Sequence, residues 1–161
     1  LEAEVARILG KTEAACRQLV RRAKQQLREA RPRRAVPQEI HRRLLGAFAD
    51  AMRRGDFHEL RALLSEDAEL IGDGGGRVPA FARLAGGKRL AQLFYAVKRR
   101  HGEGLRVEVA QVNGEWALLR FIDGVLESVQ AFETDGERIV RVFVQRNPDK
   151  LAVVATAWGK R

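Results

Sequence analysis

Three dipeptides constrain the fold of this chain more than any other feature. Asn113-Gly114, Asp123-Gly124 and Asp135-Gly136 separate four β-rich runs at 105–112, 116–122, 125–133 and 138–146. Both central residues of a type I′ hairpin turn need positive φ, which Asn, Asp and Gly tolerate best, so each dipeptide predicts a tight hairpin. Three in series predict an antiparallel meander. Its last run alternates Val140, Val142 and Val144 with Arg141, Phe143 and Gln145, the pattern of a strand with one face fully buried.

Helices precede the meander. Ile40, Leu44, Leu45, Phe48, Ala51 and Met52 recur at helical spacing over 38–54, which ends at Gly55. Asp56 is a good N-cap for a shorter helix over 57–64. Leu70 and Ile71 suggest a strand that runs into a glycine cluster, and Leu90, Leu93, Phe94 and Val97 form the inward stripe of a helix over 88–100. Helices followed by a meander describe an α+β cone, a curved antiparallel sheet wrapped around long helices. Phe94, Phe121, Phe132 and Phe143 read as its core.

The first thirty residues have a different character. Val5, Ile8 and Leu9 share one face of a helix that stops at Gly10, and Thr12 caps a second helix with the apolar stripe Cys16, Leu19, Val20, Ala23 and Leu27. Arg17, Gln18, Arg21, Arg22 and Arg28 project from the remaining arc. Two amphipathic helices joined by a Gly-containing turn make a helix-turn-helix, the geometry that presents a recognition helix to the DNA major groove. Charge agrees: of the net +9, residues 1–35 hold ten Lys or Arg against four Asp or Glu, leaving +3 for the other 126 residues. A dense positive segment favours polyanions through counterion release.

Arg31-Pro32-Arg33-Arg34-Ala35-Val36-Pro37 breaks the helix and reads as a linker. The organisation expected is thus 1–30 helix-turn-helix, 31–37 Pro/Arg-rich linker, 38–151 α+β domain and 152–161 tail. No run approaches the roughly 18 unbroken apolar residues of a membrane span, and the single Cys16 forms no internal disulfide, so a cytoplasmic location is expected. His41, His58 and His101 lack metal-ligand spacing and read as surface residues. Neither a metal nor a cofactor is expected.

Residues 4–24 resemble the end of region 4 of an extracytoplasmic-function sigma factor of the sigma-70 family. Residues 38–151 resemble the SnoaL-like domain fused behind region 4 in one group of those factors. Asp73-Gly74-Gly75-Gly76-Arg77 is similar to that group's Asp-Gly-Gly-Gly-Lys, and Asn147-Pro148-Asp149-Lys150-Leu151 has the group's signature as it stands. Two departures are Arg77 in place of Lys and Trp116 where a Pro commonly follows the Asn-Gly-Glu turn. The resemblance implies that region 4 reads the promoter −35 element, that core RNA polymerase and promoter DNA are the partners of the complete factor, and that the fused domain modulates activity in cis. Region 2 and the first helices of region 4 have no counterpart in this sequence, and Leu1 is not Met, so a C-terminal fragment is expected. A homodimer of the fragment is a further candidate assembly.

On that resemblance Arg17, Gln18 and Arg21 are the candidates for base edges, since Arg bonds guanine and Gln adenine bidentately, while Lys11, Thr12, Arg22 and Lys24 complete the DNA-contacting set. Asp73 through Arg77 and Asn147 through Leu151 are the candidate regulatory contacts, with the linker or the missing region 2 as their target. In the second motif Pro148 would stop the last strand and Leu151 would act as a hydrophobic plug.

Two other readings of the Asp73 cluster stand beside this one. Similar cone-shaped isomerases carry a catalytic Asp near this place, on the strand after a segment much like Glu66-Asp67-Ala68, which makes the alternative a small-molecule-binding or isomerase-like domain, with Asp73 as candidate general base and room for a lipophilic ligand in the cone. Structurally, Asp73 is an Asx-turn residue closing a strand. Against an enzyme, the only tyrosine is Tyr95, and the first long helix offers Phe48 and Met52 where a proton-shuttling site wants a polar donor. A cavity beside Asp73 holding a second polar group separates the two functional readings.

Overall fold

The computed structural model describes residues 36–76, 80, 82–112 and 115–152. The expected helix-turn-helix, most of the linker, Arg77, the Asn113-Gly114 turn and all but the first residue of the tail lie outside the described residues.

The chain enters through helix α1, Gln38–Arg54, whose buried residues Leu44, Leu45, Phe48, Ala49, Ala51 and Met52 make one continuous stripe. Helix α2, Phe57–Leu63, starts at Asp56, whose Oδ1 accepts the Glu59 N–H at 3.0 Å. That bond satisfies one of the donors a helix start leaves unpaired. Strand β1, Leu64–Asp73, follows without a loop, then the two-residue β2, Leu84–Ala85, and helix α3, Gly87–His101. A 3₁₀ turn at Gly102–Gly104 leads into β3 (Leu105–Val112), β4 (Glu115–Ile122), β5 (Val125–Thr134) and β6 (Ile139–Gln145). Among the described residues no helix is long and apolar enough to cross a membrane.

The six strands form one sheet in the order β2-β1-β6-β5-β4-β3. β3 to β6 are the expected antiparallel meander, and β1 runs parallel to β6. One face packs on the helices: Phe48 is fully buried at the centre, edge-on to Phe94 at 5.0 Å and Phe132 at 5.4 Å between ring centroids. Aromatic pairs in this geometry add to the stabilisation that burial alone supplies. Leu70, Leu118, Val142 and Val144 complete this side.

The outer face is also covered, which the alternation in β6 did not suggest. Arg141, Phe143 and Gln145 are each less than a tenth exposed. Arg141 sits across from Glu69 on β1 and Glu133 on β5, with guanidinium–carboxylate contacts of 3.4 and 3.2 Å, and Glu69 also binds Arg83. Two carboxylates flanking one guanidinium let β6 bury a charged residue on a face that would otherwise be solvated. Further along, Leu119, Phe121, Leu126 and Leu151 make a second apolar cluster on this outer side. Phe121 and Phe143 thus belong to the outer face, not to the helix-packed core.

The turns differ from one another. Asp123 and Gly124 both have positive φ, +50° and +80°, as a type I′ hairpin requires. At Asp135-Gly136 only the glycine does. There the Asp135 carboxylate accepts the N–H groups of Glu137 and Arg138, at 2.9 and 2.8 Å, so side-chain capping of the backbone replaces the tight two-residue turn with a longer one.

Candidate functional site

β1 and β6 lie side by side and point the same way, so the segments that follow them emerge at the same end of the sheet. The Asp73-Gly74-Gly75-Gly76 segment leaves β1 there, and Asn147-Pro148-Asp149-Lys150-Leu151 leaves β6. The two motifs are joined directly by Asp73 and Lys150, 77 residues apart, and through Gln145, and form one hydrogen-bonded unit.

Asp73 is its hub. Its Oδ1 accepts the Gly75 N–H at 2.8 Å, closing an Asx turn, while Oδ2 accepts Gln145 Nε2 at 3.1 Å and Lys150 Nζ at 3.0 Å. Its backbone carbonyl accepts the Arg146 N–H at 2.7 Å. Burial by itself would raise the Asp73 pKa, but the Lys150 ammonium, the Gly75 N–H and the Gln145 amide together hold it below the ordinary carboxylate value. Gln145, the last residue of β6, is the link between the motifs. Its Oε1 accepts the Asn147 N–H at 2.9 Å while its amide nitrogen reaches Asp73.

Asn147 opens a helical segment, described over 148–152. Its Oδ1 accepts the Asp149 N–H at 3.1 Å and its carbonyl accepts those of Lys150 and Leu151. Asn-Pro is a natural helix start: Asn caps, and Pro at the first position loses no intrahelical bond. Pro148 therefore opens this turn and does not end the strand, which already stops at Gln145. The turn carries Leu151 onto Leu119, Phe121 and Leu126, where it plugs the outer cluster. Gly75, at φ +63°, lies so close to Asn147 that a Cβ there would stand 2.4 Å from the Asn147 side chain. Gly75 is thus needed for close approach as well as for its backbone angle. Arg77 lies outside the described residues, as do Lys11, Thr12, Arg17, Gln18, Arg21, Arg22 and Lys24.

The general-base reading of Asp73 meets a geometric obstacle. A cavity of about 590 Å³ opens on the helix-packed side, lined by Leu70, Gly72 and Val144 among others. Side chains alternate along a strand, so Asp73 and its partner Gln145 face the opposite side. The carboxylate is held by Lys150, away from the cavity. Among the described residues the ionisable groups that line the cavity are Arg120, Glu127 and Arg146, with Arg100 and His101. His101, expected at the surface, is half-buried at this mouth.

No family model matches the chain. The ECF RNA polymerase sigma factor SigJ of Mycobacterium tuberculosis is 31% identical over 163 residues, covering 92% of this chain and 51% of that protein. The probable ECF RNA polymerase sigma factor SigI of the same organism is 28% identical over 157 residues, 97% of this chain and 52% of its own length. The chain spans about half the length of the curated relatives it matches. The crystal structure of SigJ superposes with a TM-score of 0.61 at 28% identity, over 94% of this chain and 55% of that one. A SnoaL-like protein of unknown function from Burkholderia thailandensis shares the fold alone, with a TM-score of 0.53 at 15% identity over 69% of this chain and 97% of its own.

Proposed function

Since this chain is homologous to extracytoplasmic-function sigma factors, we propose that it acts in transcription initiation, with its N-terminal segment reading a −35 element and its SnoaL-like portion controlling that segment in cis. Core RNA polymerase and promoter DNA are the partners of the complete factor in this reading, and the chain is not an enzyme. Arg17, Gln18 and Arg21 contact base edges, and Lys11, Thr12, Arg22 and Lys24 complete the DNA-facing set. The domain division 1–30, 31–37 and 38–151 follows from the same reading.

The observation that carries the regulatory half is the joining of Asp73 to Lys150. The motifs implicated by resemblance are not two independent surfaces but one: a capped turn locked to a glycine loop, with Gly75, Gly76 and Asp149 exposed. A rigid, polar, outward-facing unit at one end of a sheet is a suitable docking point for a neighbouring domain. Asp73, fixed by three donors on the side away from the cavity, is unsuited to proton abstraction within it.

Transcription from a cognate promoter by the complete factor with core polymerase tests this. Termination just before Asn147, or deletion of 38–161, is expected to change transcript yield, and Asp73→Asn with Lys150→Met to shift it the same way as the shorter truncation. Arg17→Ala and Arg21→Ala are each expected to weaken −35 binding by about 1–3 kcal/mol. Indifference of yield to both truncations removes the regulatory role; unchanged footprints remove the base-contact assignments.

A further inference from the structure

The cavity on the helix-packed face gathers charge that the sigma reading does not use. Its walls are apolar, with Leu70, Leu93, Phe94, Val97 and Val144 around a space of about 590 Å³. At one end Glu127 holds two arginines: Arg120 Nε at 2.7 Å and Arg146 Nε at 2.5 Å. A β-bulge sets this up. Arg120 pairs with Ser128 and Phe121 with Leu126, which leaves Glu127 as the extra residue. Bulges re-aim side chains in this way. The Arg120 side chain is only 9% exposed.

Among the described residues, the cavity lining carries Arg120 beside the carboxylate of Glu127, which Arg146 also engages. Burial alone would raise the Glu127 pKa, yet the two arginines, Arg120 foremost, hold it below its usual value, so the acid is ionised and already committed. Among the described residues Arg120 bonds only through Nε, and its terminal amino groups remain as the donors it offers. A buried guanidinium that shares its one counter-ion is costly until a second anion arrives.

We propose that this cavity binds a small amphiphilic monoanion, an aliphatic carboxylate, with its acid group on Arg120 and its hydrocarbon chain along Leu93, Val97 and Phe94. Guanidinium matches carboxylate in a planar two-point contact, and the apolar walls match the chain. The site stands whether or not the protein acts in transcription, though it adjoins the outer unit: Gly72 lines the cavity beside Asp73, and Arg146 donates its backbone N–H to Asp73.

Calorimetric titration of the 161-residue chain with sodium octanoate and with octan-1-ol tests the assignment. Octanoate is expected to bind saturably at one site per chain, at least about tenfold more tightly than the alcohol. Arg120→Met should weaken octanoate about tenfold and leave the alcohol unaffected. Val97→Trp fills the apolar end with every charge in place, and should abolish binding of both; it keeps the test decisive if Arg120→Met does not fold. Absence of saturable octanoate binding, equal affinity for acid and alcohol, or affinity indifferent to Val97→Trp overturns the proposal.

Discussion

Replacing Gly75 by Ala isolates the contact between the two motifs. Gly75 and Gly76 have almost the same backbone, φ +63° and +71°, but different surroundings: a Cβ at Gly75 would stand 2.4 Å from Asn147, and one at Gly76 meets nothing within 4 Å. Left-handed backbone costs a residue with a Cβ roughly 1–2 kcal/mol, so that much is common to both substitutions. The overlap at Gly75 adds about 1–3 kcal/mol, the usual penalty for overpacking. Asn147 escapes only by giving up the cap on Asp149. Gly75→Ala should therefore be less stable than Gly76→Ala by about 1–3 kcal/mol, and at this chain length each kcal/mol lowers the melting midpoint by about 2–4 °C. Detachment of the capped turn limits the loss, and amide exchange at Lys150 and Leu151 reports it. Asn147→Ala removes the obstructing atoms, so in urea unfolding the double variant should be more stable than the sum of the singles by about 1–2 kcal/mol. Equal losses at Gly75 and Gly76, or strict additivity with Asn147→Ala, would refute the close approach.

Phe48→Ala empties the centre of the Phe48–Phe94–Phe132 cluster and is expected to cost about 3–5 kcal/mol in urea unfolding. Leu151→Ala should lose about 2 kcal/mol or more and strip amide protection from 148–152 first, because Leu151 anchors that turn on the outer cluster. Glu127→Gln tests the arginine pairing through pH. A carboxyl depressed on folding contributes stability that is complete above its unfolded value, 4.5, and lost as pH falls through the lower folded value. The variant should melt below the parent at pH 7, and the two curves should converge on acidification beneath pH 4.5; parallel curves would deny the pairing.

The meander and its helices were legible because they rest on local signals. Asp123-Gly124, the Asp56 cap and the stripe of α1 each state their own geometry within a few residues. What escaped was set by pairing across the chain. The parallel β1–β6 ladder has no sequence signature, and without it Asp73 and Lys150 remain two unconnected motifs. Alternation in β6 correctly placed Val142 and Val144, but not the cover over Arg141 and Gln145, because burial of a charged strand face depends on Glu69 and Glu133 from other strands. Glu127 could be found only through the bulge, a register irregularity that the run 125–133 does not announce. Gln145 had a faint signal: a polar residue closing a valine-rich strand just before Asn147.

The placement of β6 also dictates the order in which this sheet is completed. Before Ile139–Gln145 leaves the ribosome, β1 can pair only with the two-residue β2, and β3, β4 and β5 form a separate ribbon. The last strand is the wedge that joins both halves. A nascent or truncated chain ending short of it exposes Leu70 and Phe132 on unpaired edges, a form open to proteolysis and aggregation. Synthesis as far as Gln145 is thus a condition for a closed sheet, and proteolytic quality control falls on molecules that stop short of it.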